Sequence, residues 1–502
     1  MADLARAGGA VGALGVTLLV LGRPRSWRLA GLAGWVVGCA LLAIWLAPAG
    51  HHRAYAAAAV VGAVVAVGLG WLFVRVPWLL AVAVLACAPA RIPVSIGHTP
   101  ANLLLPMYVV VAGAVVALAW ELFGDAETPL PAKPAAALER HRERRLSRRA
   151  HELGPLAWPL GLFVGWTGVT FLWTLRAGEQ DGAKYLLFYV LPFALLAVSL
   201  SRLRWSVGWV ATLGVQLVGM AVVFALIGDW QYLTRNIFWN PKVIVDNAYA
   251  PSSWFYRVNS VFYDPSIYGR FLAVAILVSL VLVLFVRGPL AWAALAVSVV
   301  TWLGLVPSFS QSSFVALGAG IVVALAVLWR RRALVPLLVA AAALVVVTIG
   351  VPQIRHRIIG KAGLSSATDG RSKLVSNGLK LVRHHPLVGV GAGGFKLSYA
   401  SITGLKGKEP KAAASHDTPI TVAAETGLPG LALLVWLVVA GLVLAFRRNP
   451  VADATGRARA ALGLALVAIV VHSLFYDSLL EDPLFWGALA LAAVAWREVE
   501  QA

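Results

Sequence analysis

Continuous apolar runs, rather than alternating ones, dominate this chain. They fall near residues 8–22, 29–48, 55–73, 78–92, 103–123, 157–175, 185–200, 206–227, 267–286, 290–307, 312–329, 333–351, 428–446, 460–476 and 483–496. Most approach the roughly 20 residues that a helix needs to cross a bilayer. Lipid offers the backbone no hydrogen bonds, so such runs must be helices or a closed barrel. A barrel would show alternation, which is absent. The pattern therefore predicts an all-α, polytopic membrane helix bundle of about 12–15 transmembrane helices, with a large, partly helical loop outside the bilayer. The fourth run is broken by Pro89 and Pro93 and is expected to be re-entrant.

Composition agrees. The chain is 60% hydrophobic and 13% charged, with a mean hydropathy of +0.81, more apolar sequence than a soluble core absorbs. The net charge of +20 would suggest nucleic acid in a soluble protein. Here nucleic acid is excluded as a partner, because the basic residues sit in short loops, where they set topology and face anionic lipid headgroups. Clusters at Arg23, Arg25 and Arg28, at Lys133 to Arg149, at Arg202 and Arg204, at Arg287, at Arg330 to Arg332, and at Arg447 and Arg448 all fall on one side when helices are counted. By the positive-inside rule that side is cytoplasmic. Cys39 and Cys87 lie inside apolar runs and read as packing residues. The first run lacks a strong basic lead and a cleavage site, so it reads as a membrane helix and not a removable signal.

The expected organisation is N-terminal membrane helices over 1–123 and a basic cytoplasmic linker over 124–156. Core helices follow over 157–351 with an outer loop at 228–266, then a large extracytoplasmic loop over 352–427 and C-terminal helices over 428–502. The large loop is unusual. It carries eleven Lys and Arg residues against Asp369, Glu409, Asp417 and Glu425. Long outer loops escape the positive-inside bias, so the topology stands, but the excess calls for an anionic ligand such as a diphosphate.

Candidate chemistry collects on the outer side. Asp369-Gly370-Arg371 opens an amphipathic pattern that Pro386 ends, and Gly389, Gly391, Gly393 and Gly394 follow. Such a turn either cradles phosphate with its N–H groups or lets a loop pack tightly on a helix. His416 is the candidate general base, titrating near neutrality and able to take a proton from a sugar hydroxyl. Asp417 either orients it or caps the next helix. Arg257, in the aromatic stretch from Trp254 to Pro265, and Arg371 are the expected diphosphate contacts, with Arg270, inside the following helix, as a further candidate. Those aromatics serve as an interfacial belt or a stacking surface for sugar. The cluster from Ser308 to Ser313 either caps a helix or lines the same cavity. His472, Tyr476, Asp477, Glu481 and Asp482 are explained by helix capping and a loop salt bridge. No Walker loop, dinucleotide fingerprint, zinc pattern or paired acidic motif of a nucleotide-sugar transferase is present.

These features together resemble the O-antigen ligase and O-antigen polymerase superfamily. The resemblance is carried by Gly370-Arg371, by His385-Pro386-Leu387-Val388-Gly389-Val390-Gly391-Ala392-Gly393-Gly394-Phe395, by His416-Asp417 and by Glu425-Thr426-Gly427-Leu428-Pro429-Gly430. It implies a GT-C-like membrane glycosyltransferase of the cell (inner or plasma) membrane, working on the extracytoplasmic face without metal or cofactor. The implied donor is a glycan on undecaprenyl diphosphate, and the implied acceptor is a hydroxyl of a glycan, lipid or protein. By motif position His416 matches the family's acceptor-activating His and Arg257 an Arg that contacts the diphosphate. Gly391, Gly393 and Glu425 fall inside the matched motifs. Two positions depart from the pattern: Gln311 stands where the family often has Arg, and Asp417 where Asn is commoner. The alternative from another class is a polysaccharide or lipid-linked oligosaccharide transporter or flippase. That would need polar residues along the middle of several helices, and these helices are nearly bare of them.

Overall fold

The computed structural model describes residues 2–47, 52–96, 99–124, 153–175, 178–238, 240–248, 256–329, 371–403 and 417–494. In chain order the helices are α1 (Ala2–Leu21), α2 (Arg25–Leu46), α3 (His52–Arg75) and α4 (Trp78–Cys87). An antiparallel hairpin, β1 (Ile92–Ile96) and β2 (Thr99–Leu103), pairs Ile92 with Leu103. Then come α5 (Leu105–Gly124), α6 (Ala157–Thr170), α7 (Glu179–Ser201), α8 (Val207–Thr234), α9 (Pro241–Ala248), α10 (Pro265–Phe285), α11 (Pro289–Leu305) and α12 (Gln311–Trp329). The remainder is α13 (Arg371–His384), α14 (Phe395–Thr403), α15 (Thr418–Ala445), α16 (Ala454–Ser473) and α17 (Pro483–Ala493).

Ten of these helical segments are long and apolar enough to cross a membrane, and four shorter apolar helices join them. The polytopic helical architecture expected from hydropathy is therefore present, with a two-stranded hairpin added. The expected helix at 333–351 and residues 125–152 of the expected basic linker lie outside the described residues. Three boundaries differ from the hydropathy reading. The fourth run is not re-entrant: its helix stops at Cys87, and hairpin and turn carry the chain to the far end before α5 returns. Pro89 and Pro93 remove two backbone donors there, which ends the helix. α8 continues to Thr234, past the expected loop start at 228. α15 begins at Thr418, ten residues before the apolar run, because Asp417 caps it: its Oδ1 accepts the Ile420 N–H at 3.0 Å.

Small residues bring the first two helices together. A Cβ on Gly38 would meet Gly12 N at 2.3 Å, and one on Gly15 would meet Trp35 N at 2.5 Å. In lipid, where apolar burial gives no driving force between helices, such close backbone packing holds them. α10 is the central helix, buried on nearly all sides against α11, α12 and α16.

The bundle has two chemically distinct ends. At one, Arg25 donates to Phe123 O, Arg202 pairs with Glu121 at 2.9 Å, and Arg459 donates to Val494 O at 2.8 Å. At the other lie the hairpin, the turns before α7 and α12, the described residues 235–238, 240–248 and 256–264, the Gly-rich turn and the loop 474–482. Among the described residues, Arg25 and Arg202 thus share one end; the clusters at Lys133 to Arg149 and Arg330 to Arg332 lie outside the described residues.

Candidate functional site

The Gly-rich turn is held by backbone geometry that only glycine tolerates. Gly389, Gly391 and Gly393 have φ of +66°, +89° and +76°. Each also abuts backbone: a Cβ would meet Glu425 O at 2.3 Å from Gly389, Thr174 Cα at 2.7 Å from Gly391 and Gly182 N at 2.2 Å from Gly393. The turn's amides are taken by protein. Val390 N–H donates to Ala424 O and Gly391 N–H to Glu425 O, both at 2.9 Å. Phe395 N–H donates to the Glu425 carboxylate at 3.2 Å, and Gly393 N–H faces the same carboxylate. So Gly391 and Gly393 do not form a phosphate cradle: their donors are spent on Glu425, and tight packing explains the glycines. Glu425 is correspondingly a buried organiser of the turn.

The turn also meets a break in α15. Gly427 is left-handed at φ +73°, and its position touches Leu387 O. Leu428 N–H donates to Pro386 O at 2.7 Å, and Trp166 Nε1 donates to Thr426 O at 2.7 Å. On the other flank Thr174 Oγ1 donates to Ala392 O, while Arg6 reaches Thr174 O and pairs with Glu179 at 2.9 Å.

The loop 474–482 binds several distant segments at this end. Asp477 accepts from Thr418 Oγ1 at 2.8 Å and from Thr421 Oγ1 at 2.7 Å. Burial pushes its carboxyl up to about 6, against the two hydroxyl donors that pull it down and the nearby Glu481 and Asp417 charges that push it further up. The Tyr476 hydroxyl faces the Asp264 carboxylate, and burial and that charge together push the phenol well up. Glu481 pairs with Arg91 at 2.9 Å, and Asp482 pairs with Arg270 at 2.9 Å. Arg270 also donates to Ser478 Oγ at 2.6 Å. Arg270 is thus a buried structural cation neutralised by Asp482, not a free diphosphate ligand. Capping at Asp482 and a loop salt bridge were legible in the sequence. The Arg270 pairing was not, although an arginine inside an apolar helix demands a partner and Asp482 was a candidate.

Arg257 sits differently. Asn247 brackets its backbone, accepting from Arg257 N–H at 2.8 Å and donating to Arg257 O at 2.9 Å. Its Nε donates to Ser308 O at 3.1 Å, and among the described residues its two terminal nitrogens have no acceptor. It is half-exposed. Behind it, Ser310 Oγ contacts Ser312 Oγ at 3.2 Å and Ser313 Oγ at 2.7 Å, and Ser312 Oγ contacts His472 Nε2 at 3.0 Å. The serine cluster is an internal hydrogen-bond network at the start of α12, with Gln311 exposed beside it. Sequence reasoning passed over Arg235, whose guanidinium lies over the Tyr232 and Tyr256 rings at 4.4 and 4.9 Å. Tyr232, three residues before it, was the available signal in the sequence; Tyr256 is brought there by the fold.

His416 lies outside the described residues, as does the Arg371 side chain, although Arg371 is the first residue of α13. Asp417, next to His416, is half-buried, and burial raises its carboxyl while the Ile420 N–H lowers it. Adjacent residues Tyr476 and Asp477 thus reach the segment of Arg257, through Asp264, and the first turn after His416, through Thr418. Among the described residues no group of three His, Cys, Asp or Glu side chains is placed to hold a metal ion.

Residues 296–435 match a family model described as O-antigen ligase. That segment runs from within α11, through the serine cluster and the Gly-rich turn, to the lower half of α15. No curated protein matches the chain.

Proposed function

We propose, from the premise that this chain belongs through residues 296–435 to the O-antigen ligase and O-antigen polymerase superfamily, that it is a membrane glycosyltransferase. Its donor is a glycan carried on undecaprenyl diphosphate, and its acceptor is a hydroxyl of a second glycan, a lipid or a protein. The site is the polar end of the bundle, facing away from the cytoplasm.

One observation carries this reading: the loop 474–482 ties the Arg257 segment and the start of α15 together at one end. A cation with unused donors and the first turn of α15, which follows His416 in sequence, are thereby tied to the same polar surface. Arg257 offers two free N–H faces to a diphosphate, and Arg371 adds charge from α13. The acceptor oxygen attacks the anomeric carbon as the bond from that carbon to the diphosphate oxygen breaks. His416 takes the acceptor proton, and the departing diphosphate carries the electron pair against the arginines. Donor and enzyme share the lipid phase, which raises their effective concentration.

The test is single-site replacement in the full-length protein with glycan transfer measured. His416→Ala is expected to lose transfer by at least ~10²-fold, with unchanged membrane level. Arg257→Ala is expected to weaken transfer strongly, and Arg257→Lys to restore part of it as a point charge. Undiminished transfer by His416→Ala would remove the mechanism.

A further inference from the structure

A long apolar cavity lies away from the polar end. It encloses about 830 Å³ between α4, α8, α10, α11, α16 and α17, with an almost wholly apolar lining. Along α8 it extends from Val207 to Val222, which is roughly 22 Å of helix. Val215 lines it yet is 74% exposed, so the cavity opens sideways to the lipid beside α8. Glycines supply the room. A Cβ at Gly219 meets nothing within 4 Å, and one at Gly214 first meets Val278 at 3.8 Å.

Two features decide what such a slot takes. Its far end is closed: a small cavity lined by Arg91, Arg270 and Asp482 shares Val274, Ile469 and Pro483 with it, so the buried ion pair separates it from the site of Arg257. Its near end is open at the arginine end and is lined by Arg457. Arg457 is half-buried, and among the described residues its guanidinium has no hydrogen-bond or ion-pair partner. An unpaired guanidinium at the mouth of a long apolar slot matches an anionic headgroup with its chain inside.

We propose that this cavity binds one acyl chain of an anionic phospholipid from the leaflet at the arginine end, with the lipid phosphate on Arg457. The site is separate from that of the glycan donor and stands whether or not the reading of the polar end holds. The acyl chain fills the space between α8, α10 and α17 on the arginine side of the Phe224–Phe271 contact.

The full-length protein in neutral detergent, offered phosphatidylglycerol or phosphatidylcholine of identical chains and read by native mass spectrometry, tests it. One phosphatidylglycerol is expected to be retained about fivefold over phosphatidylcholine. Arg457→Ala should bring the two lipids level. Gly214→Leu should abolish retention of both, with the unfolding temperature held or raised because leucine favours the helix. If Gly214→Leu does not fold, Gly219→Leu serves in its place. Equal retention of the two lipids by the unaltered protein overturns the proposal, as does retention that ignores these substitutions. So does displacement of phosphatidylglycerol by equimolar undecaprenyl diphosphate, which would assign the cavity to the donor.

Discussion

Gly391 shows how little freedom the polar end allows a single residue. Its φ of +89° and its contact with Thr174 both reject a side chain. Gly391→Ala is expected to cost about 2 kcal/mol or more in stability, read as a lower unfolding temperature in detergent. If this glycine served only to approach a phosphate, the variant would unfold normally and lose transfer alone. Arg270 makes the complementary case. Arg270→Ala strands the Asp482 charge in a buried setting and should cost about 3–5 kcal/mol, whereas the double change Arg270→Met with Asp482→Asn should recover much of that. The sequence made these residues conspicuous without settling their work. A glycine run reads the same whether its amides face a ligand or Glu425, and only the three-dimensional partner decides. Arg257 differs from Arg270 in the same way: one has a carboxylate, the other a single carbonyl.

Among elements, the loop 474–482 does what no helix does alone, and its acid chemistry gives it a pH signature. Asp477 has its carboxyl raised to about 6 by burial, so the folded protein binds a proton there that the unfolded chain, near the ordinary carboxylate value, releases. Stability from this group therefore grows as pH falls from about 7 through 6 and is lost as pH rises through that value. Asp477→Asn should flatten the rise in unfolding temperature between pH 7 and pH 5. An unaltered slope would show that the carboxyl titrates as if in water. Helix existence and apolar character were legible along most of the chain, because the period and length of apolar runs answer directly to lipid. Helix ends were not. α15 starts ten residues early since Asp417 and Asp477 hold a polar first turn that hydropathy scores as loop. Hairpin residues 92–103 carried too few strand signals next to Pro93 and Pro100 to be separated from a broken helix.

For the whole molecule, the arrangement of charge predicts its orientation in the cell. In a chain lacking Cys39 and Cys87, a cysteine at exposed Leu387 should react with an impermeant maleimide on intact cells. One at exposed Val451, on the arginine end, should react only after the membrane is opened. The reverse pattern would place the polar end in the cytoplasm and deny it an extracytoplasmic acceptor. The turn at Gly427 bears on how such a molecule sits between two solvents. α15 has 28 residues, about 42 Å of helix, too long for a hydrocarbon slab of roughly 30 Å. The left-handed residue divides it, leaving Leu428–Ala445, about 27 Å, to cross. Gly427 is a seam between oil and water. Below it, a change of side chain matters most on the stripe of Gly430, Leu434, Leu437, Gly441 and Ala445 that faces protein. Above it, Val422, Ala423, Ala424 and Glu425 are buried inside the polar end, where a change answers to the Gly-rich turn packed against them and not to lipid.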